Sequence, residues 1–427
     1  MIHELYMRNF LSFKDEYTLS FEASADKTFE EQYCYEVKGG LRLLKFGVIY
    51  GPNASGKTNV LNCLEFLKEF ILTHKEIKTQ ETGFTPFLLD QECIEDPGVL
   101  KLSFFIENTR YIYSLEITES IVVSEHLVYY PSKQPAVLFE RNFDEKKGKS
   151  IIRFGNHLNL SQGSKRIIEG LTINNSSVLS AYARANVEKS LFDNVYQWFN
   201  EKFLHLVRPE TDLFSRTSSL VIKDDSYKTF ALDVLQKADF NISGIEIMEK
   251  EVDLTLQPAG GKDNLTVEEM DTVYSRPKVL KKEIVFAHKT RNTERLLPMK
   301  LESSGTRRLF GLSGVLKKLL EPSAFLMIDE MENSLHTELV AYFLKVFLLN
   351  SKNSQLLITT HNINFLAEDF LRRDTIWFVD KDENGASELY SLLDFKLHKN
   401  LSPFNAYKTG KLGARPITGS PIIFDHP

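Results

Sequence analysis

The sequence predicts an α/β fold built on a mainly parallel sheet, with an antiparallel β lobe and a helical insertion. Three observations carry this. Leu43 to Tyr50 is a nearly continuous apolar run that breaks at a glycine-rich turn and is followed at once by apolar residues at helical spacing. Residues 99–130 alternate in the manner of paired strands. The last third of the chain alternates strand-like and helix-like segments, the order that yields parallel sheets.

Composition bounds the rest. With 427 residues the chain has room for one large domain with insertions or for two of ordinary size. Its 42% hydrophobic, 26% charged and 11% aromatic residues describe a globular chain, not a disordered or fibrous one. A formal net charge of −6 argues against a surface that grips nucleic acid constitutively, and the cations at Arg307-Arg308, Lys317-Lys318 and Lys408, Lys411, Arg415 read as solvated helix faces and tails. The sequence has no long uninterrupted apolar stretch and no secretory signal pattern, so a cytoplasmic location without a membrane partner is expected. Cys34, Cys63 and Cys93 lack the paired spacing of a zinc site or disulfide framework.

Taken in chain order, Ile2, Leu5, Met7, Phe10, Tyr17, Leu19 and Phe21 give roughly the period-two signature of half-buried strands near a sheet edge. After the buried strand ending at Tyr50, Val60, Leu61, Leu64, Leu67, Phe70 and Ile71 define one face of a helix. LKLSFFIE, RYIYSLEI and SIVVSEHLVYY form an antiparallel meander, with a turn at Asn108-Thr109. Helical patterns over 187–206 and 227–235 are separated by the polar run at 215–219, and a turn-rich tract at 257–264 lies between two strand-like segments. A helix over about 305–320, a strand in SAFLMID, a helix over 335–349 and strands in QLLITT and TIWFVD complete the pattern. The implied division is an N-terminal lobe at 1–160, a helical insertion at 161–240 and a C-terminal lobe at 241–427.

Gly51-Pro52-Asn53-Ala54-Ser55-Gly56-Lys57-Thr58 fits the phosphate-binding loop pattern, two glycines with four residues between them followed by Lys and a hydroxyl residue. The glycines let successive N–H groups face one centre, and the following helix adds its positive end. Lys57 is placed to reach the β- and γ-phosphates of ATP, and the Thr58 hydroxyl to take one Mg²⁺ position. A second apolar strand ends in Asp329-Glu330, where the first acid suits Mg²⁺ and the second the attacking water. His361 follows the strand QLLITT and can report on the γ-phosphate or the water. Glu302-Ser303-Ser304-Gly305-Thr306 precedes an amphipathic helix, a second anion-binding device suited to a partner's ATP.

Together these four elements resemble the ABC-type ATPase head of the SMC and RecF group, and most of all the AAA-like or OLD-like bacterial ATPases of phage-defence operons. GPNASGKTN, which adds Asn59, resembles their Walker A; ESSGTRRL their degenerate signature; FLMIDEMENSLH their Walker B and D-loop; ITTHN their switch histidine. The opening MRNFLSFKD and the late YKTGKLGARP are also similar to this group. The resemblance implies a head-to-head dimer or higher oligomer with two ATP molecules held between the P-loop of one copy and Ser303, Ser304 and Gly305 of the other. It further implies a sensor or regulatory subunit of the RloA/AbiL, PARIS or Septu type, controlling a separately encoded effector such as a nuclease, with DNA or a phage component as a further partner. A RecF-like DNA-maintenance ATPase is the alternative. Asp380-Lys381-Asp382 imitates the acids of a metal nuclease but reads as a solvated turn.

Overall fold

The computed structural model describes residues 1–238, 240–253, 278–291, 293–395, 397–398 and 401–415; the tract at 257–264 and Pro416 lie outside them. The chain forms two compact units, Met1–Thr211 with Leu319–Asn333 and Thr337–Pro427, and Asp212–Lys318 with Ser334–His336.

In the first unit the predicted parallel sheet has five strands, in the order Phe325–Ile328, Gln355–Thr360, Phe46–Tyr50, Ile376–Lys381 and Ser387–Ser391. The first four run parallel and the last is antiparallel. Every residue of Phe46–Tyr50 and Gln355–Thr360 is buried, as expected of strands covered on both faces, and in the second the polar Gln355 and Thr359 are buried with hydrogen-bond partners. The helix Lys57–Leu72 buries Val60, Leu61, Leu64, Leu67 and Ile71 against this core.

A second sheet of seven antiparallel strands runs Lys149–Phe154, Ala136–Asp144, Val122–Tyr130, Thr109–Ile117, Gly98–Ile106, Ile2–Arg8 and Tyr17–Ser20. Tyr17–Ser20 is one of its two outer strands, whereas Ile2–Arg8 is paired on both sides. Both segments therefore lie near a sheet edge as expected, the second at it and the first one strand in. Helices Gln162–Leu171, Val178–Arg184 and Leu191–Gln197, the last continued by a π-turn at Trp198–Lys202, share the same apolar core. Trp198 stacks on Phe104 with centroids 4.7 Å apart, and Phe203 meets Phe325 edge-on at 4.9 Å. Burial of each such Phe contributes about 1.5–3 kcal/mol.

Glu125 and Arg141 face each other across adjacent strands of the seven-stranded sheet, and both side chains are fully buried. Arg141 donates to Glu125 Oε2 at 3.0 Å, to Ile173 O at 2.9 Å, to Ser150 Oγ at 3.0 Å and to Ser176 O. Glu125 also accepts from Tyr113 Oη at 2.8 Å, from Ser177 Oγ at 2.7 Å and from the N–H of Val178. A charged pair therefore pins the start of the helix Val178–Arg184 to the sheet.

The second unit holds a three-stranded antiparallel sheet, Gly244–Asp253, Lys278–Lys289 and Glu294–Pro298, with helices Leu213–Lys223, Asp225–Lys237 and Ser304–Leu319, the last of which belongs to it as far as Lys318. The polar run at 215–219 does not separate helices; it lies inside one. Asp212 caps it by accepting from Ser215 N, Ser219 Oγ donates back to Ser215 O, and Thr217 Oγ1 donates to Gly311 O at 2.7 Å, so the hydroxyls of Thr217 and Ser219 find partners without breaking the helix, while the buried Ser218 Oγ has none among the described residues. Gly311 and Gly314 allow this approach, since a Cβ on the first would lie 2.6 Å from Leu213 Cβ and on the second 2.3 Å from Thr217 Oγ1. No described helix is long and apolar enough to cross a membrane.

Candidate nucleotide site

Register places three loops at one sheet edge. Thr360 pairs with Tyr50 and Ile328 with Ile358, so the chain leaves the parallel strands at Gly51, Asp329 and His361 side by side. Ligands of open α/β sheets bind outside such carboxyl ends.

The loop Gly51–Gly56 depends on its two glycines. A Cβ on Gly51 would sit 2.3 Å from Val379 O and 2.6 Å from Ser55 Oγ, and Gly56 has φ +109° with Ser387 Oγ 2.2 Å from the position of a Cβ. Ala54 also takes a left-handed φ of 62°, at a cost the surrounding loop must bear. Beyond it begins the 16-residue helix Lys57–Leu72, whose N-terminus carries the partial positive charge that favours phosphate. Lys57 is buried, and its Nζ donates to Gly51 O and Pro52 O, each at 2.9 Å. Burial pushes its ammonium pKa down, against the opposing pull of Asp329, Glu330 and Glu332. Ser55 Oγ is buried with no hydrogen-bond partner among the described residues.

Thr58 Oγ1 donates to Asp329 Oδ1 and Oδ2 at 3.2 and 3.0 Å. Thr359 Oγ1 donates to Asp329 Oδ1 at 2.5 Å and accepts from Glu330 N at 2.9 Å. Glu330 itself has φ 47°, an unusual backbone for a residue with a side chain and of the kind that gathers at functional sites. Thr58 and Asp329 thus present hard oxygen donors side by side, the set that Mg²⁺ takes. The glycine cradle, the orphaned Ser55 hydroxyl and these donors fit a nucleoside triphosphate with its cation.

His361 is half exposed beside this group. Its backbone N–H donates to Glu332 Oε1 at 2.8 Å, and its Nδ1 lies 2.9 Å from the same oxygen. Glu332 Oε2 and Tyr50 Oη are buried and have no hydrogen-bond partner among the described residues. Glu332 was not legible as a site residue, because a third acid after Asp329-Glu330 reads as ordinary loop polarity. Ser12 and Ser387 were likewise missed. Ser12 Oγ bonds Asn59 Nδ2 at 2.8 Å and Ser387 Oγ at 2.7 Å, and Ser387 Oγ donates to Ser55 O at 2.6 Å, so two residues from opposite ends of the chain support the loop.

Of the predicted residues, Gly51 to Asn59, Asp329, Glu330 and His361 belong to the first unit, and Ser303, Ser304 and Gly305 to the second. Ser303 Oγ accepts from Thr306 N at 3.0 Å and so caps the helix Ser304–Leu319. Of the acids at 380–382, read from the sequence as a solvated turn, Asp380 ends the strand Ile376–Lys381, paired with Glu388, and only Asp382 lies beyond it; Asp380 accepts from Ala414 N and Lys381 N, and Asp382 from Asn384 N and Ala386 N.

The P-loop, the acidic strand end one strand away from it and the antiparallel lobe define a P-loop ATPase fold of the ABC-type head class. More particularly, the chain belongs to the family described as "AAA domain, putative AbiEii toxin, Type IV TA system", whose model matches residues 46–367. No curated protein matches the chain. Among solved structures it is similar to the SMC head domain from Thermotoga maritima, with 15% identity, a TM-score of 0.42 and coverage of 91% of this chain and 98% of that one. It is also similar to an SMC head bound to the C-terminal winged-helix domain of ScpA, with 12% identity, a TM-score of 0.45 and coverage of 91% and 97%. A third is the Smc head with an extended coiled coil bound to the C-terminal domain of ScpA, derived from Pyrococcus furiosus, with 11% identity, a TM-score of 0.43 and coverage of 96% and 98%.

Proposed function

We propose that the protein binds ATP with Mg²⁺ and hydrolyses it at sites completed by a second copy, acting as the regulatory subunit of a defence system whose effector is encoded separately. The observation that carries the hydrolytic reading is the convergence of Thr58, Asp329, Glu330 and His361 at one sheet edge beside an intact P-loop. In this reading Lys57 Nζ exchanges its two loop carbonyls for phosphate oxygens. Thr58 and Asp329 hold the cation, which when bound offsets phosphate charge. Glu330 accepts a proton from the attacking water, and His361, steadied by Glu332, fixes where that water sits. Ser303, Ser304 and Gly305, at the capped start of a 16-residue helix, offer N–H groups and a positive helix end to the γ-phosphate of the other copy. The regulatory role is supported by the resemblance to phage-defence ATPases and by the family's description with a type IV TA system.

Complementation tests the shared sites. Ser303→Arg is expected to bind ATP but to block closure and turnover, and Lys57→Ala to lose tight binding. Mixed, they regenerate one working interface, and up to about half of the wild-type activity per dimer returns if the two sites act independently. A mixture that forms heterodimers by light scattering with ATP, yet stays as inactive as either variant, rules the shared sites out.

A further inference from the structure

The outer edge of the seven-stranded sheet holds a group of side chains that takes no part in the nucleotide site. His3 and Glu4 are neighbours in the strand Ile2–Arg8, and regular alternation would send them to opposite faces. The register of that strand against Gly98–Ile106 shifts between Ile2 and Glu4, a bulge that re-aims one side chain and lets both reach the same point. Glu22 arrives from the other side. Glu4 pairs with Ser20, and Phe21 N donates to His3 O, so the chain emerging from Tyr17–Ser20 brings Glu22 alongside.

The result is an imidazole nitrogen between two carboxylates. His3 Nε2 lies 3.6 Å from Glu4 Oε1 and 3.6 Å from Glu22 Oε2, and donor atoms of all three residues lie within 4.8 Å of one another. The His3 side chain is only 7% exposed, whereas Glu4 and Glu22 are 37% and 55% exposed. Both separations exceed hydrogen-bond length, and Nε2 has no partner among the described residues. Neither carboxylate accepts another hydrogen bond among them. A buried nitrogen aimed at two unspent carboxylates is a costly arrangement unless something joins them.

We propose that His3, Glu4 and Glu22 bind a divalent transition-metal cation of the Zn²⁺ or Mn²⁺ kind. Ligands about 2.0–2.2 Å from such an ion are separated from each other by roughly 3–3.5 Å, close to the spacing found. One imidazole and two carboxylates suit these ions, and the exposed side leaves positions for water. The ring is also held from behind: His3 Nδ1 lies 3.2 Å from Ser103 Oγ, which accepts from Arg110 Nε at 3.0 Å. In the tautomer protonated at Nδ1 the ring donates to Ser103, and Nε2 presents its lone pair to the cation, as the second ring nitrogen of a metal-bound histidine commonly requires. The bound ion staples the bulge to the chain leaving the outer strand. Another cluster, Glu65, Glu69 and His205, differs in that its central acid is engaged: Glu65 meets His205 Nδ1 at 3.0 Å and accepts from Leu206 N at 3.2 Å.

Co²⁺ titration of the nucleotide-free chain tests the site. Wild type is expected to take up one equivalent with visible d–d absorption, Zn²⁺ to displace it, and Zn²⁺ to raise the melting temperature. Glu22→Gln, at an exposed position, and Glu4→Gln, at a half-buried one, both nearly isosteric, are expected to weaken Co²⁺ by at least about 10–100-fold while melting like wild type without metal. His205→Gln is expected to change nothing. The proposal is overturned if wild type takes up no Co²⁺, or if Glu22→Gln and Glu4→Gln bind it as wild type does.

Discussion

The Glu125–Arg141 network and the candidate nucleotide site are both built from buried charge in the same unit, yet they are finished differently. Around Glu125 every polar atom is used: one carboxylate takes an arginine, a tyrosine, a serine and a backbone N–H, and the arginine's remaining donors meet carbonyls and Ser150. Around the P-loop, Ser55 Oγ, Tyr50 Oη and Glu332 Oε2 have no partner among the described residues, and Lys57 makes do with the carbonyls of its own loop. A satisfied network holds a fold in one arrangement, while unspent capacity at a strand-end loop is a cost that a ligand can offset.

The comparison breaks most visibly at its stable end. Glu125→Ala leaves Arg141 charged and buried without its partner, and is expected to lower unfolding free energy by about 3–5 kcal/mol in urea titration. A loss under about 1 kcal/mol, typical of exposed ion pairs, would erase the distinction drawn between the two regions.

Lys57→Ala works the other way. It removes a buried ammonium that is satisfied only by loop carbonyls, so melting is expected to hold or rise while ATP affinity falls about 10–100-fold by calorimetry. Parallel losses of stability and binding would show that Lys57 serves the fold first.

Glu332 tests the boundary between the two kinds of network. If it positions His361, Glu332→Ala is expected to reduce turnover about tenfold with ATP affinity unchanged, and Glu332→Gln, which keeps an acceptor for the His361 N–H, to restore most of it. Equal kcat in both variants and wild type would leave the contact without a part in turnover.

The elements of the site that were legible in the sequence are those in which a strand, a turn and the working residue are contiguous. Gly51 to Thr58 follows its own buried strand and opens its own helix, and Asp329-Glu330 and His361 stand at the ends of two further strands, so local pattern was enough to place them at strand ends. The helix over 213–223 was not legible in full, because Ser and Thr carry the same turn preference whether or not a neighbouring carbonyl, here Gly311 O, is available to receive their hydroxyls.

What the amino-acid order determined by itself was the alternation of strands and helices and the glycine-rich turn between a buried strand and its helix, since both are set by spacing within a few residues. Only the tertiary structure decided that Ser387 supports Ser55, that Glu332 rather than Glu330 contacts His361, and that His3 and Glu4 share a face with Glu22. Those outcomes depend on strand register, where a one-residue shift sends a side chain to the opposite face, and register is fixed by packing between segments far apart in the chain.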